Sequence, residues 1–170
     1  MRLVFIVLAS LFLFSSCGGG GLHPDAGPAV PKVHLSKEHI DSGDVTEVKI
    51  DIGDISSEEF IVKVRYPLGL SYVYDTSFFE INRKTYDTGP DHNLADSSYN
   101  YLVYFLNGND IRYSGSLELN FELRGVSEVA AGFVEVDIDL DDLEVSNLSE
   151  FTIADPRFTM VADAKIRVDG

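Results

Sequence analysis

The stretch SLELNFEL sets Leu117, Leu119, Phe121 and Leu123 against Glu118, Asn120 and Glu122 in strict alternation. A β-strand with one buried and one wet face requires this pattern, because successive side chains leave opposite faces of a sheet. The same period of two recurs in FVEVDIDLDD, with Val134, Val136, Ile138 and Leu140 on one parity. In EFIVKVRY, Phe60, Val62, Val64 and Tyr66 oppose Lys63 and Arg65. Near the end, Phe158, Met160, Ala162, Ala164, Ile166 and Val168 share a parity against Asp163, Lys165 and Arg167. With KVHLS, VTEVKIDI, FFEIN and YNYLVYFLN, the pattern amounts to about eight strands, separated by turn-formers such as SGD at 42–44, PLG at 67–69 and NGND at 107–110. YNYLVYFLN is apolar on both parities, which predicts either an interior strand or one that shows tyrosines to solvent. No long amphipathic helix competes, so the expected fold is all-β: an antiparallel sandwich whose two sheets bury their apolar faces against each other.

The chain begins differently. Residues 3–14 are apolar except for Ser10 and follow one positive charge, Arg2. A bilayer-spanning helix needs about 20 such residues, whereas the core of a secretory signal needs roughly 7 to 15. The small residues Ser15 and Ser16 come next, then Cys17, the sole cysteine. FSSC at 14–17 resembles the lipobox of bacterial lipoproteins. The resemblance implies cleavage before Cys17, a diacylglycerol on its sulfur, and a membrane as the first partner. An exported lone thiol could pair between molecules, and acylation removes that hazard. The mature start CGGGGLHPDAGPAVPK, with glycines first and prolines at 24, 28 and 31, reads as an extended tether. The expected organisation is a signal peptide over 1–16, a lipidated Cys17 with its tether over 17–31, and one domain over 32–170. In many enteric lipoproteins an aspartate after the cysteine retains the protein at the inner membrane. Gly18 stands there instead, which favours the outer membrane over the plasma membrane.

The net charge is −15, and −16 once the leader with Arg2 is removed. Nucleic acids and anionic lipid head groups are bound by clustered Lys and Arg, so no nucleic-acid partner is expected.

SGDVTEVKIDIGDISSEEFIVKVRYPLGLSYV, residues 42–73, resembles the opening half of bacterial Ig-like surface repeats. YSGSLELNFELR and AAGFVEVDIDL are similar to the closing strands of such domains and of cohesin-like sandwiches. The resemblance implies a module at the cell surface or in the periplasm that binds a protein or a glycan, or that spaces and scaffolds, without catalysis. The competing reading is a small-ligand carrier or an envelope hydrolase on the same sandwich. A hydrolase needs convergent catalytic groups, yet His23, His34, His39 and His92 fall in no G-x-S-x-G or H-E-x-x-H context.

Two clusters remain. On a strand, Glu135, Asp137, Asp139 and Asp141 would share a face, and hard oxygen ligands suit calcium, which makes Asp137, Asp139, Asp141 and Asp142 the candidate calcium ligands. The EF-hand pattern fails, because counting from Asp137 the sixth place is Asp142 rather than Gly and the twelfth is Leu148. The expectation is therefore a solvated acidic face that discourages edge pairing, with no cofactor. The aromatics Tyr72, Tyr74, Phe78, Phe79, Tyr86, Tyr99, Tyr101 and Tyr104 are expected to supply core volume; the alternative is ligand contact, with Tyr72, Tyr74, Tyr99 and Tyr101 as the candidates, since rings stack on sugars and anchor protein interfaces. Replacing Cys17 with alanine is expected to leave the protein unprocessed or released from membranes, as detergent partitioning and mass spectrometry of the mature N-terminus would report.

Overall fold

The computed structural model describes residues 31–53, 59–81, 83–107, 117–139 and 158–170. The expected leader, Cys17, the tether to residue 30, the NGND turn from residue 108, Leu140, Asp141 and Asp142 lie outside the described residues. Among the described residues twelve strands form: β1 (Lys32–Leu35), β2 (His39–Asp41), β3 (Val45–Gly53), β4 (Glu59–Pro67), β5 (Leu70–Tyr72), β6 (Phe78–Ile81), β7 (Lys84–Asp87), β8 (His92–Ala95), β9 (Tyr99–Asn107), β10 (Leu117–Gly125), β11 (Val129–Asp139) and β12 (Ala162–Asp169). They build two sheets. The first runs β1-β3-β10-β6-β7 with β5 also paired to β10, and the second runs β2-β12-β11-β4-β9-β8. The protein is an all-β sandwich of antiparallel ladders with one exception, the parallel pairing of β2 with β12.

Four of the twelve strands, β2, β5, β7 and β8, were not expected, and each has only three or four residues. Length alone does not decide this, since β1 and β6 have four residues each and were expected from KVHLS and FFEIN; these four strands exist through the neighbours that pair with them. The parallel pair arises because the N-terminal stretch divides itself between the sheets. The chain leaves β1, switches layers over 36–38 and adds β2 to the edge of β12. Buried Thr46 holds this switch, its Oγ1 donating to the Lys37 carbonyl at 2.8 Å and accepting from the Lys37 N–H at 3.1 Å.

The core lies between the sheets. Val48, Ile50 and Ile52 of β3, with Leu117, Leu119, Phe121 and Leu123 of β10, face Phe60, Val62, Val64 and Tyr66 of β4. Leu102, Tyr104 and Leu106 of β9, Val134 and Val136 of β11, and Ile166 and Val168 of β12 complete it. Each fully buried aliphatic or aromatic side chain contributes about 1.5–3 kcal/mol relative to exposure. Glycine is required where β10 ends: a Cβ on Gly125 would stand 2.8 Å from Val168 and 3.0 Å from the Asp41 carbonyl. Gly43, at φ +95°, makes the turn that donates its N–H to the Gly125 carbonyl.

The outward face of β4 and β11 departs from expectation. Register places Lys63 opposite Asp137 and Arg65 opposite Glu135, so the acidic parity of β11 meets the cationic parity of β4. Lys63 Nζ lies 3.3 Å from Asp137 Oδ2, and both residues are only 5% exposed. The Thr159 N–H also donates to that oxygen, at 3.0 Å. Arg65 makes a two-pronged contact with Glu135 through Nε and Nη2. The solvated acidic face is therefore corrected at these two acids: cross-strand cations neutralise it and the segment beginning at Phe158 lies over it. Ile61 and Val103 are buried on the same outward face with Phe105 packed against them, which explains why β9 is apolar on both parities. The C-terminal parity holds at Ile166 and Val168 but not at Met160, which is exposed ahead of β12.

Lys63→Ala strands a buried carboxylate, and removing one partner of such a pair costs about 3–5 kcal/mol. Denaturant unfolding is expected to show that loss. The double change Lys63→Met with Asp137→Leu is expected to recover most of it, since apolar replacement of a whole buried pair is near neutral.

Candidate functional site

Along one edge of β10 the partner strand is split. β5 pairs with Leu123–Gly125 and β6 with Leu117–Asn120, and the chain bulges outward over residues 73–77 between them. The detour is anchored rather than loose. The Val73 N–H donates to the Glu122 carbonyl at 3.0 Å. The Thr76 hydroxyl accepts from the Glu122 N–H at 3.1 Å and donates to the Val73 carbonyl at 2.7 Å, so a side chain replaces the missing ladder partner. Asp75 sits in the detour at φ 61°, a left-handed conformation that aspartate tolerates better than most residues.

Facing the detour is the crossing from β7 to β8, which carries the chain from one sheet to the other over residues 88–91. The Thr88 N–H donates to the Ser77 carbonyl at 3.1 Å and ties the two segments together. Between them opens a cleft of about 570 Å³ lined by Tyr72, Tyr74, Asp75, Ser77, Asp87, Thr88, Gly89, Pro90 and Asn93. Its floor is a buried chain of hydroxyls. Tyr72 OH lies 2.8 Å from Ser77 Oγ, which lies 2.9 Å from Tyr104 OH. The rim is different: Tyr74 is 74% exposed. Its ring nevertheless has a set position, edge-to-face with Tyr72 at 5.4 Å between centroids. Its phenol oxygen accepts from Asn93 Nδ2 at 3.4 Å. A large ring held in place yet left open is a contact surface that has already met part of the ordering cost of binding.

Of the four candidate contact tyrosines, the structure brings Tyr72 and Tyr74 together at this cleft and places Tyr99 and Tyr101 elsewhere. The latter stand on the outward face of the second sheet, rings 6.5 Å apart. There the Arg65 guanidinium is stacked between the Tyr99 ring at 4.8 Å and the Phe158 ring at 4.3 Å. The Tyr101 hydroxyl donates to Asp96 Oδ2 at 2.8 Å. Ser98 N–H, Tyr99 N–H and this hydroxyl hold the Asp96 carboxyl below the usual carboxylate range. Tyr99 packs the part-buried Arg65 cation, and Tyr101 leans on Tyr99 and bonds Asp96. Tyr104 belongs to the core, and its hydroxyl meets Ser77 beneath the cleft. Asp87, Thr88 and Asn93 were missed as site residues, because they meet Tyr74 only through the change of sheet between β7 and β8.

Of the candidate calcium ligands, Asp137 is taken up by Lys63 and the Thr159 N–H. The Asp139 side chain, Asp141 and Asp142 lie outside the described residues. Among the described residues, no group of three or more His, Asp or Glu side chains is disposed to hold a metal ion. His39 Nε2 lies 2.6 Å from Asp169 Oδ2 at the exposed β2–β12 edge, away from the cleft.

A two-sheet sandwich with a tyrosine-and-carboxylate cleft beside its split strand is the class of molecule defined here. The N-terminal domain of the Streptococcus gordonii adhesin Sgo0707 has a similar fold at a TM-score of 0.56 and 10% identity, over 82% of this chain and 32% of that one. The T6 backbone pilin of serotype M6 Streptococcus pyogenes matches at a TM-score of 0.48 and 10% identity, over 81% of this chain and 36% of the pilin. A non-cellulosomal cohesin from the hyperthermophilic archaeon Archaeoglobus fulgidus matches at 0.45 and 12% identity, over 84% and 93%. The chain thus spans about a third of the adhesin chain it matches, and at this identity the likeness is one of fold. No family model and no curated protein sequence matches the chain.

Burial pushes the Tyr66 and Tyr104 phenols well above their ordinary value of 10, and burial followed by the bond to Asp96 pushes Tyr101 up to about 12. A raised phenol contributes stability that is intact below the unfolded value and lost as pH rises above it. Stability is therefore expected to fall as pH climbs above about 10, with a shallower decline in Tyr104→Phe. In absorbance titration, Tyr101→Phe is expected to remove a phenolate step near pH 12.

Proposed function

We propose that this is an exported, lipid-anchored protein of the bacterial envelope whose sandwich binds a protein or glycan partner without catalysing a reaction on it. Tyr74 carries the reading, as a ring that is open to solvent yet held by Tyr72 and Asn93 at the mouth of a preformed cleft. The fold shared with an adhesin domain supports a binding or structural role. The FSSC motif supports anchoring through Cys17, where two or more acyl chains hold a protein stably and one does not. Gly18 favours the outer membrane. The Gly- and Pro-rich start lets the sandwich stand clear of the bilayer.

The hydrolase reading finds less support. Ser77, at the cleft floor, is bonded to two phenols, and no histidine is among the described residues that line the cleft. Burial keeps the Tyr104 phenol protonated at neutral pH, so it cannot act as the general base that serine needs. A carrier of small ligands remains the second reading, because the cleft is large enough for one.

Full-length protein bearing Tyr74→Ala is expected to capture its partner from envelope extracts at least tenfold less well than the unaltered protein, with an unchanged far-ultraviolet spectrum. Equal capture by the variant would remove the cleft from the binding reading.

A further inference from the structure

The charges around the cleft select among partners. Asp75 and Asp87 both line it, and both are exposed. Among the described residues neither carboxylate has an ion-pair or hydrogen-bond partner, and no Lys or Arg is among the lining residues. Elsewhere a subset of the acids is neutralised locally: Glu118 by Lys49 at 2.6 Å, Glu135 by Arg65, Asp137 by Lys63 and Asp169 by Arg167. Arg65 also shows what a cation finds congenial in this protein, namely aromatic faces on two sides and a carboxylate at the end. Tyr74, Asp75 and Asp87 offer the same elements, one ring face and two carboxylates, without a cation among the described residues to fill them.

We propose that the cleft receives a positively charged side chain, an arginine or lysine presented by a partner protein, with the charge over the Tyr74 ring and its N–H groups directed at Asp75 and Asp87. The inference rests on the binding reading above and deepens it. Two physical effects converge on such an occupant. The ring quadrupole attracts a cation over its face. Two unpaired carboxylates in a concavity focus a negative potential. A neutral sugar would use the ring but leave both carboxylates without charge compensation. An anionic ligand would be repelled.

The test uses the full-length chain in neutral detergent and follows tyrosine fluorescence and binding heat. The probes are the peptide acetyl-Gly-Arg-Gly-Arg-Gly-amide, its citrulline counterpart, which keeps the shape and loses the charge, and the neutral disaccharide cellobiose. The arginine peptide is expected to bind at least tenfold more tightly than the citrulline peptide and to weaken as sodium chloride is raised. Binding should be lost in Tyr74→Ala and Asp87→Asn and kept in Tyr74→Phe, which retains the ring. It should also be kept in Asp163→Asn, which removes an exposed acid from β12, separated from β8 by three strands of the second sheet. Equal binding of the two peptides overturns the inference, as does an equal loss in Asp163→Asn, which would mean diffuse attraction to an acidic surface. Preference for cellobiose overturns it too and reassigns the cleft to a glycan. If neither probe binds while Tyr74→Ala still abolishes partner capture, the cation inference fails and the binding reading stands. If capture is also unaffected, both fail.

Discussion

Leu117, Leu119, Phe121 and Leu123 of β10 are all buried against the opposite sheet, and β10 is the strand on which the first sheet is assembled. β3 pairs along one of its edges, while β5 and β6 share the other. A strand with a neighbour on both sides and a fully apolar inner parity cannot shift register by one residue without turning four large side chains to water. That constraint sets the position of β3, and through β3 of β1. On the far edge it fixes where β5 ends and β6 begins. The detour over residues 73–77 follows, because the two short strands take different parts of β10 and the chain between them has to leave the ladder.

The second sheet obeys a different constraint, since it is covered on both faces at β4. Inward, Phe60, Val62, Val64 and Tyr66 meet the core; outward, Ile61 and Lys63 are nearly as buried. A charge in that position is tolerable because Asp137 lies directly across the ladder, and the Thr159 N–H accompanies it. Buried pairs of this kind contribute little net stability compared with apolar residues, but breaking one is costly. They therefore act here as a register lock between β4 and β11. The neighbouring Arg65–Glu135 contact, enclosed by Tyr99 and Phe158, extends the lock by one step along the same strands.

The cleft is a by-product of these two arrangements. β7 and β8 lie at corresponding edges of the two sheets, and the chain between them closes the side of the sandwich incompletely. Into the gap project the detour of the split strand and the first residues after β7. Both are pinned by hydrogen bonds, the detour through the Glu122 N–H to the Thr76 hydroxyl and the crossing through the Thr88 N–H to the Ser77 carbonyl. The result is a rigid concavity on a scaffold edge, where binding residues can vary without disturbing the core. The buried Tyr72–Ser77–Tyr104 chain satisfies the polar groups of its floor, so an exposed ring at the rim does not require a wet interior beneath it.

The long strands, their inward parities and the two-layer architecture were determined by the sequence itself, because a period of two over eight or more residues admits one buried face and one arrangement of faces. The lipobox resemblance at Cys17 is likewise a property of consecutive residues. Of the short strands, β1 and β6 were legible in KVHLS and FFEIN, but β2, β5, β7 and β8 were not, because they exist through the neighbours that pair with them. The acids of β11 were visible as a row, but their environment was not: whether Asp137 meets water or Lys63 depends on which strand lies beside it. The four singled-out tyrosines are alike in sequence, yet Tyr99 covers Arg65, Tyr101 bonds Asp96, and Tyr72 and Tyr74 line a cleft. Only tertiary structure decided that, because the cleft joins residues 72–77 to 87–93 across a change of sheet, and the physical contact that defines it, Asn93 to Tyr74, has no trace in local pattern.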